Sequence, residues 1–344
     1  LRTVRHPRSM RHREEIMTIS TKGTASALVL ALVAGMSASA VSADTVEIIY
    51  SDTVQEGDRR STLLREHFGD CLGEGFQFTP YFGATLFKQG TELTAMQRAN
   101  LDMANLAIFD FYNQVPATSI LGTAYLWRDY EHMRATFNSD VLDGLIDTME
   151  EATGIKVLAW PYIGTRHVNI RGERKVMRPA DLNGVKLRMP GGEGWQFVGE
   201  ALGANPTPLA FTEVYTALQT GAIDGQDNPL TANKQMKFHE VTDQIILTGH
   251  LIASNVFSMS GSKWDSLDEA QQARVQDCAI SFQDAMDADT ISQEAELVDF
   301  FKSEGLEVYE PDKEAFRTHV LQVFQSSRFS ESWPDGVLDG INGL

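Results

Sequence analysis

The chain reads as an α/β protein of two lobes, joined by several crossings and braced by a long helix. Three observations carry this reading. Strand-like and helix-like segments alternate from Thr45 onward, the 344 residues exceed one small core, and the run from Leu267 to Ser303 holds neither proline nor glycine. Alternation of this kind builds βαβ units and a mostly parallel sheet. A helix as long as that run spans or braces two domains rather than sitting within one.

The elements follow in order. Thr45–Tyr50 has strand character, and Arg60–Leu72 spaces Leu63, Leu64, His67 and Phe68 as an amphipathic helix. Phe76–Phe82 and Leu101–Leu106 read as further strands, with a helix over Glu92–Ala99 between them. A helix over Val141–Ala152 ends at Gly154, well placed as a C-cap. Extended segments over Ile155–Tyr162 and Thr165–Ile170 come next, then a helical turn at Pro179–Leu182 and a strand over Val185–Met189. Trp195–Leu202 and Thr212–Thr220 are helices stopped by Gly203 and Gly221, and Ile223–Pro229 is a rigid turn set by Gly225 and Pro229. Ser266-Leu-Asp-Glu269 has the spacing of a capping box that opens the long helix.

The first 43 residues stand apart. Met17–Lys22 is weakly positive, Ala25–Ala40 is apolar and rich in small residues, and Val41-Ser-Ala43 fits a signal-peptidase site. The apolar stretch is too short and too rich in alanine and serine for a good membrane span. Residues 1–43 are therefore expected to be a secretory signal peptide, with Leu1–Ile16 an over-extended start, and the mature protein to be exported and soluble. Six of the 29 Lys/Arg and two of the 47 Asp/Glu lie there, so the formal charge falls from −18 to −22 on their removal. Such a surface repels phosphate backbones and argues against a nucleic-acid partner. The two cysteines, Cys71 and Cys278, can pair in an oxidising compartment or remain buried thiols.

No Gly-x-Ser-x-Gly elbow, phosphate-cradling Gly-x-x-x-x-Gly-Lys, His-Glu-x-x-His or Cys-x-x-Cys is present, which favours binding over catalysis. Among binding candidates Arg188 comes first. Apolar alternation in Val185–Met189 puts Lys186 and Arg188 on one face, and Pro190 marks the strand's carboxyl end, where open α/β sheets hold their ligands. A guanidinium there can grip a carboxylate through two parallel hydrogen bonds, or it can be an ordinary strand-end arginine. Arg166 can orient a ligand or brace a domain crossing. Asn228, beside Asp227, offers a donor and an acceptor or stabilises its own turn. Phe211 and Trp195 open helices near the same strand ends, where each covers a ligand or belongs to the core. Glu92 accepts hydrogen bonds from ligand hydroxyls or serves as a first-turn helix acid.

With those residues in view, the chain resembles the extracytoplasmic solute-binding subunit of tripartite ATP-independent periplasmic (TRAP) transporters, the dicarboxylate-binding-protein family. The resemblance covers residues 45 to 330 and is densest in Asp181–Pro190, Ala201–Pro208 and Phe211–Pro229. It implies a two-lobed periplasmic-binding-protein (Venus-flytrap) fold that closes on an organic acid and needs no cofactor. The partners implied are that acid and the small and large TRAP membrane subunits, with uptake driven by an ion gradient. It further implies that Arg188 pairs with the ligand carboxylate, that Arg166 lies near it, that Asn228 supplies an amide contact and that Phe211 lines the site. Gly191-Gly-Glu-Gly-Trp195 departs from the asparagine-bearing loops of sialic-acid-type members. With Glu92 and Trp195, this tilts the ligand toward a hydroxylated monocarboxylate such as a uronate or other sugar acid. The alternatives are a C4-dicarboxylate or other small carboxylate, or a sensory rather than transport role. The expected lobes are residues 44–165 with about 252–290, and about 166–251 with 291–344.

Overall fold

The computed structural model describes residues 45–344, so the expected signal peptide lies outside the described residues. Ten strands form one continuous hydrogen-bonded sheet: β1 (Val46–Ser51), β2 (Phe76–Tyr81), β3 (Met103–Ala107), β4 (Ile155–Ala159), β5 (Tyr162–Ile170), β6 (Lys186–Met189), β7 (Asn205–Pro208), β8 (Gly225–Pro229), β9 (Gln244–Ser260) and β10 (Glu307–Tyr309). The order is β2-β1-β3-β9-β5-β8-β6-β7, with β4 and β10 also pairing with β9. β1, β2 and β3 run parallel, as do β6, β7 and β8, which is what the strand–helix alternation predicts.

β9 joins the two parallel sets. Its 17 residues reach roughly 55 Å at about 3.3 Å per residue. Gln244–Ser254 pairs with β5, while Asn255–Ser260 pairs with β3 and β4. The β5–β9 ladder is irregular between Tyr162 and Gly164 and again between Arg166 and Val168. Gly164 has a φ of +115°, and a Cβ there would meet the Pro229 Cβ at 2.7 Å, so only glycine fits this crossing.

The long helix is present as Glu269–Ser303. Val275, Phe282 and Met286 from its first half pack with Ile48, Tyr50, Phe68 and Phe257. Leu297 and Phe301 from its second half pack with Leu230, Ile245 and Leu306. It therefore braces both ends of β9. Polar ties fix its middle to the start of β5: Asp287 accepts from the Tyr162 amide at 2.8 Å and the Tyr130 hydroxyl at 2.7 Å, and Glu294 from the Tyr162 hydroxyl at 2.7 Å. Cys71 and Cys278 form a disulfide, which fastens the helical segment ending at Leu72 to this long helix.

Three local expectations are corrected. The capping box of the long helix is Asp268 with Gln271, each side chain bonding the other's backbone amide at 2.8–2.9 Å. Ser266 instead caps the C-terminus of the preceding short helix, its hydroxyl donating to the Lys263 carbonyl. Ile223–Pro229 is not a free turn, because Gly225–Pro229 forms β8 and every residue of it is buried. Lys186 and Arg188 do not share an environment: Lys186 is exposed, whereas Leu187, Arg188 and Met189 are all buried. Trp333 donates to the Ser119 hydroxyl at 3.1 Å and the Ile341 carbonyl lies 2.8 Å from the His132 ring, so the chain's end packs against residues expected in the first lobe.

The disulfide closes a separation of 207 residues, and losing a native bridge costs about 2–5 kcal/mol in small secreted domains. The double variant Cys71→Ser/Cys278→Ser is expected to unfold several degrees below the wild type by calorimetry under oxidising conditions. Adding a reductant should lower the wild-type midpoint and leave the variant unchanged.

Candidate functional site

The carboxyl ends of β1, β3, β6 and β8 converge on a single cavity of about 430 Å³. This is the position at which open α/β sheets hold ligands. All six residues singled out in the sequence, Glu92, Arg166, Arg188, Trp195, Phe211 and Asn228, line it.

Arg188, next to last in β6, is 1% exposed. Its Nε donates to the Leu209 carbonyl at 2.9 Å and its Nη2 to Gln89 Oε1 at 3.3 Å, with the guanidinium carbon 5.8 Å from the Phe211 ring centroid. Among the described residues no carboxylate lies within ion-pair distance of it. Burial pulls its pKa down to about 9, with Asp227 holding it up and Arg166 pushing it further down. It remains a cation at neutral pH, and burying an unpaired ion costs several kcal/mol.

Arg166 differs in being neutralised. It lies on β5 opposite Pro229 and donates through Nε and Nη2 to the two carboxylate oxygens of Asp227 at 2.7 and 3.0 Å. The second partner of Asp227 is His250, at 3.1 Å, whose other ring nitrogen meets Thr248 Oγ1 at 2.8 Å. Burial alone would raise the Asp227 pKa, but the Arg166 charge and the His250 contact more than offset it and hold the carboxyl well below its usual range. The guanidinium carbon of Arg166 also sits 4.7 Å from the Trp195 ring centroid.

Trp195 lines the cavity but is itself 7% exposed. Phe109 stacks on it with centroids 3.9 Å apart, and Arg166 lies over the same indole. The preceding Gly194 is pressed against Tyr112, where a Cβ would come within 2.5 Å of the ring. Asn228 donates its amide to Gln226 Oε1 at 2.5 Å, which leaves its carbonyl oxygen for other donors. Phe211 lies on the cavity wall, and its backbone amide donates to Gln89 Oε1 at 2.9 Å. Glu92 opens the helix Glu92–Gln97 and is 5% exposed. Burial raises its pKa to about 7, with the backbone amides of Glu92 and Gly90 opposing and Asp110 and Asp52 adding to the rise.

Sequence reasoning missed Gln89, Asn105, Phe109 and Asp110, all of which line the cavity. Asp110 sits just past the carboxyl end of β3, so the strand-end rule applied to Arg188 also covers it. Gln89 and Asn105 carry no comparable signal. Among the described residues no group of three or more His, Cys, Asp or Glu is placed to hold a metal ion, and no helix is long and apolar enough to cross a membrane.

The family model for bacterial extracellular solute-binding protein, family 7, matches residues 63–331. The chain belongs to this family of TRAP solute-binding proteins. A solved TRAP periplasmic solute-binding protein from Roseobacter denitrificans, holding 3-deoxy-D-manno-oct-2-ulosonic acid, is 44% identical with a TM-score of 0.85, over 87% of this chain and 99% of that one. The sialic acid-binding periplasmic protein SiaP of Vibrio cholerae is 34% identical over 69% of this chain and 74% of its own length. The 2,3-diketo-L-gulonate-binding periplasmic protein YiaO of Escherichia coli is 29% identical over 84% and 88%. The TRAP solute-binding protein thus has the two-lobed fold expected, and family members are solute-binding receptors of the periplasm.

The raised Glu92 carboxyl has a consequence for stability. Its folded pKa lies above its unfolded value, so the native state binds more protons, and stability falls as pH rises from about 4.5 to about 7. Glu92→Gln removes that dependence. The ligand-free variant is expected to match wild type near pH 4 and exceed it at pH 8 by at most about 3.5 kcal/mol, at about 1.4 kcal/mol per pKa unit. Urea unfolding at the two pH values checks this, and an unchanged difference between them would contradict it.

Proposed function

We propose that this TRAP solute-binding protein captures a polyhydroxylated monocarboxylate in the periplasm and hands it to the small and large membrane subunits of its transporter. The observation that carries the reading is Arg188, a buried guanidinium on a cavity wall with no carboxylate of its own among the described residues. A ligand carboxylate supplies the missing charge through hydrogen bonds worth about 1.5–3 kcal/mol each. Arg166, neutralised by Asp227, lines the cavity without needing a second anion.

Within the sugar acids we place a 2-ulosonate ahead of a uronate. The relatives described above are named for, or hold, 3-deoxy-D-manno-oct-2-ulosonic acid, sialic acid and 2,3-diketo-L-gulonate, all of which carry their carboxylate on a carbonyl or anomeric carbon. The 44% identity of the first makes its ligand the first to test.

We also propose that the lobes hinge where β5 crosses β9, near Gly164 and the two ladder irregularities, with the segment from Phe329 moving with the first lobe. On this reading Phe109 on Trp195 and Tyr112 on Gly194 are contacts made on closure.

Calorimetry with 3-deoxy-D-manno-oct-2-ulosonate, N-acetylneuraminate, glucuronate, galactonate and succinate tests the ligand class. A sugar acid is expected to bind with micromolar Kd or better, about −8 kcal/mol, and Arg188→Ala to weaken it at least about a hundredfold. Undiminished affinity in the variant would refute the anchor. Small-angle scattering should show a smaller radius of gyration with the bound acid at saturation than without it. An identical radius in both states would exclude the hinge.

A further inference from the structure

The arginines account for one part of the cavity wall. Another part is acidic. Glu92 is 5% exposed, and its closest donors are the backbone amides of Gly90 and itself, with no side chain donating to it among the described residues. Asp110 lines the same cavity, using one oxygen to accept from the Ala107 amide at 3.0 Å. Asn105 lies between them in sequence, and its side-chain carbonyl oxygen is buried without a partner. A buried acceptor in that state costs about 1–3 kcal/mol unless a donor reaches it. Burial raises both Glu92 and Asp110, and the charged groups with the largest effect on Glu92 are Asp110 and Asp52, which raise it further. The cation in this region, Arg60, is held by Asp58 at 3.5 Å and by the field of Asp52. The Asp52 carboxylate also accepts from the Tyr50 hydroxyl at 2.6 Å. This stretch of wall therefore presents acceptors and a net negative potential to whatever fills the cavity.

We propose that Glu92, Asp110 and the Asn105 carbonyl form an acidic subsite that takes hydroxyl donors at the end of the ligand remote from its carboxylate and excludes a second carboxylate there. The inference rests on the reading that Arg188 takes the first carboxylate. It makes the protein a filter for monoacids: an aldonate or ulosonate enters with hydroxyls facing Glu92, and the diacid with the same hydroxyls is turned away. Carboxyls that titrate near neutrality suit the task, since each can accept from a hydroxyl when ionised and donate to one when protonated. Burial sets Glu92 near 7 and Asp110 near 6, so the exclusion strengthens as pH rises through that range. The other titratable groups around Glu92 are Asp52, Asp110 and Tyr50, with Arg60 lining the same cavity and acting on Tyr50. Of these, Tyr50 is pushed far above the window by burial, and Arg60 is raised by Asp58 and Asp52 against the effect of burial.

The test uses matched pairs that differ only by oxidation of the terminal CH2OH to a carboxylate: D-galactonate with galactarate, and D-gluconate with glucarate. Calorimetry on the full chain at pH 8 is expected to give each monoacid at least about tenfold tighter binding than its diacid, since a like charge in a desolvated site costs several kcal/mol. Glu92→Gln and Asp110→Asn should bring the ratio toward one; asparagine keeps the oxygen that the Ala107 amide needs. In the wild type the ratio should shrink as pH falls from 8 to 5.5, a readout independent of whether any variant folds. Equal affinity for monoacid and diacid in the wild type would overturn the subsite while leaving the carboxylate anchor standing. So would a ratio that neither substitution nor pH changes. If the wild type binds no acid of either pair and none of the panel above, the functional reading fails and the subsite fails with it.

Discussion

A guanidinium buried without a counter-ion is the constraint on which the rest of the site depends. Arg188 is held by a backbone carbonyl, a glutamine oxygen and an aromatic face, none of which carries a charge. The cost of such an ion is met only when an anion arrives, so the ligand-free protein stores several kcal/mol as a demand for negative charge. Arg166 shows the contrast. It lies in the same cavity, but Asp227 supplies its counter-charge through bonds from Nε and Nη2. The cavity thus holds one compensated and one uncompensated arginine, which is the asymmetry the proposed carboxylate anchor rests on.

That arrangement requires a polar strand in the interior. β8, Gly-Gln-Asp-Asn-Pro, has no large apolar residue, yet every position is buried. It is stable because each side chain has a partner: Gln226 donates to Asn169 and Asn233, Asp227 takes Arg166 and His250, and Asn228 donates to Gln226. Networks of this kind are stable when complete and costly when one member is removed. His167, beside Arg166, is kept neutral by burial, with a pKa near 3, so it adds no positive charge there at physiological pH.

The part of this legible in the sequence was the part fixed by local rules. Strand–helix alternation gave the two parallel sets of strands, the uninterrupted run gave the long helix, and the strand-end rule with Pro190 gave Arg188. What failed depended on tertiary partners. Ile223–Pro229 has the glycine and proline of a turn, and nothing local says that Arg166 and Asn169 will cover it. Nor does anything local to Trp195 say that Phe109 from a distant segment stacks on it. The fate of residues 329–344 was hidden for the same reason, since their hydrogen bonds go to Ser119 and His132, about two hundred residues away. Asp110 was within reach: it follows β3 as Pro190 follows β6, and only the absence of a neighbouring proline or glycine made the first strand end less conspicuous.

The Trp195 indole ties these strands of argument together. It contacts Arg166, and through it Asp227, while its stacking partner Phe109 follows β3, next to Asp110. The cationic and acidic parts of the cavity are therefore joined through one ring. Gly194 lets that ring approach, because any side chain there would strike Tyr112. Displacing the ring by a bulkier ligand would disturb both charged groups at once. The Gly191–Trp195 loop thus takes up space on the cavity wall, and the excess of acidic residues over the whole chain says little about the field inside. Over the roughly 8 Å Debye length of physiological salt, surface carboxylates are screened, and the field inside the cavity is set by the few ions that water does not reach.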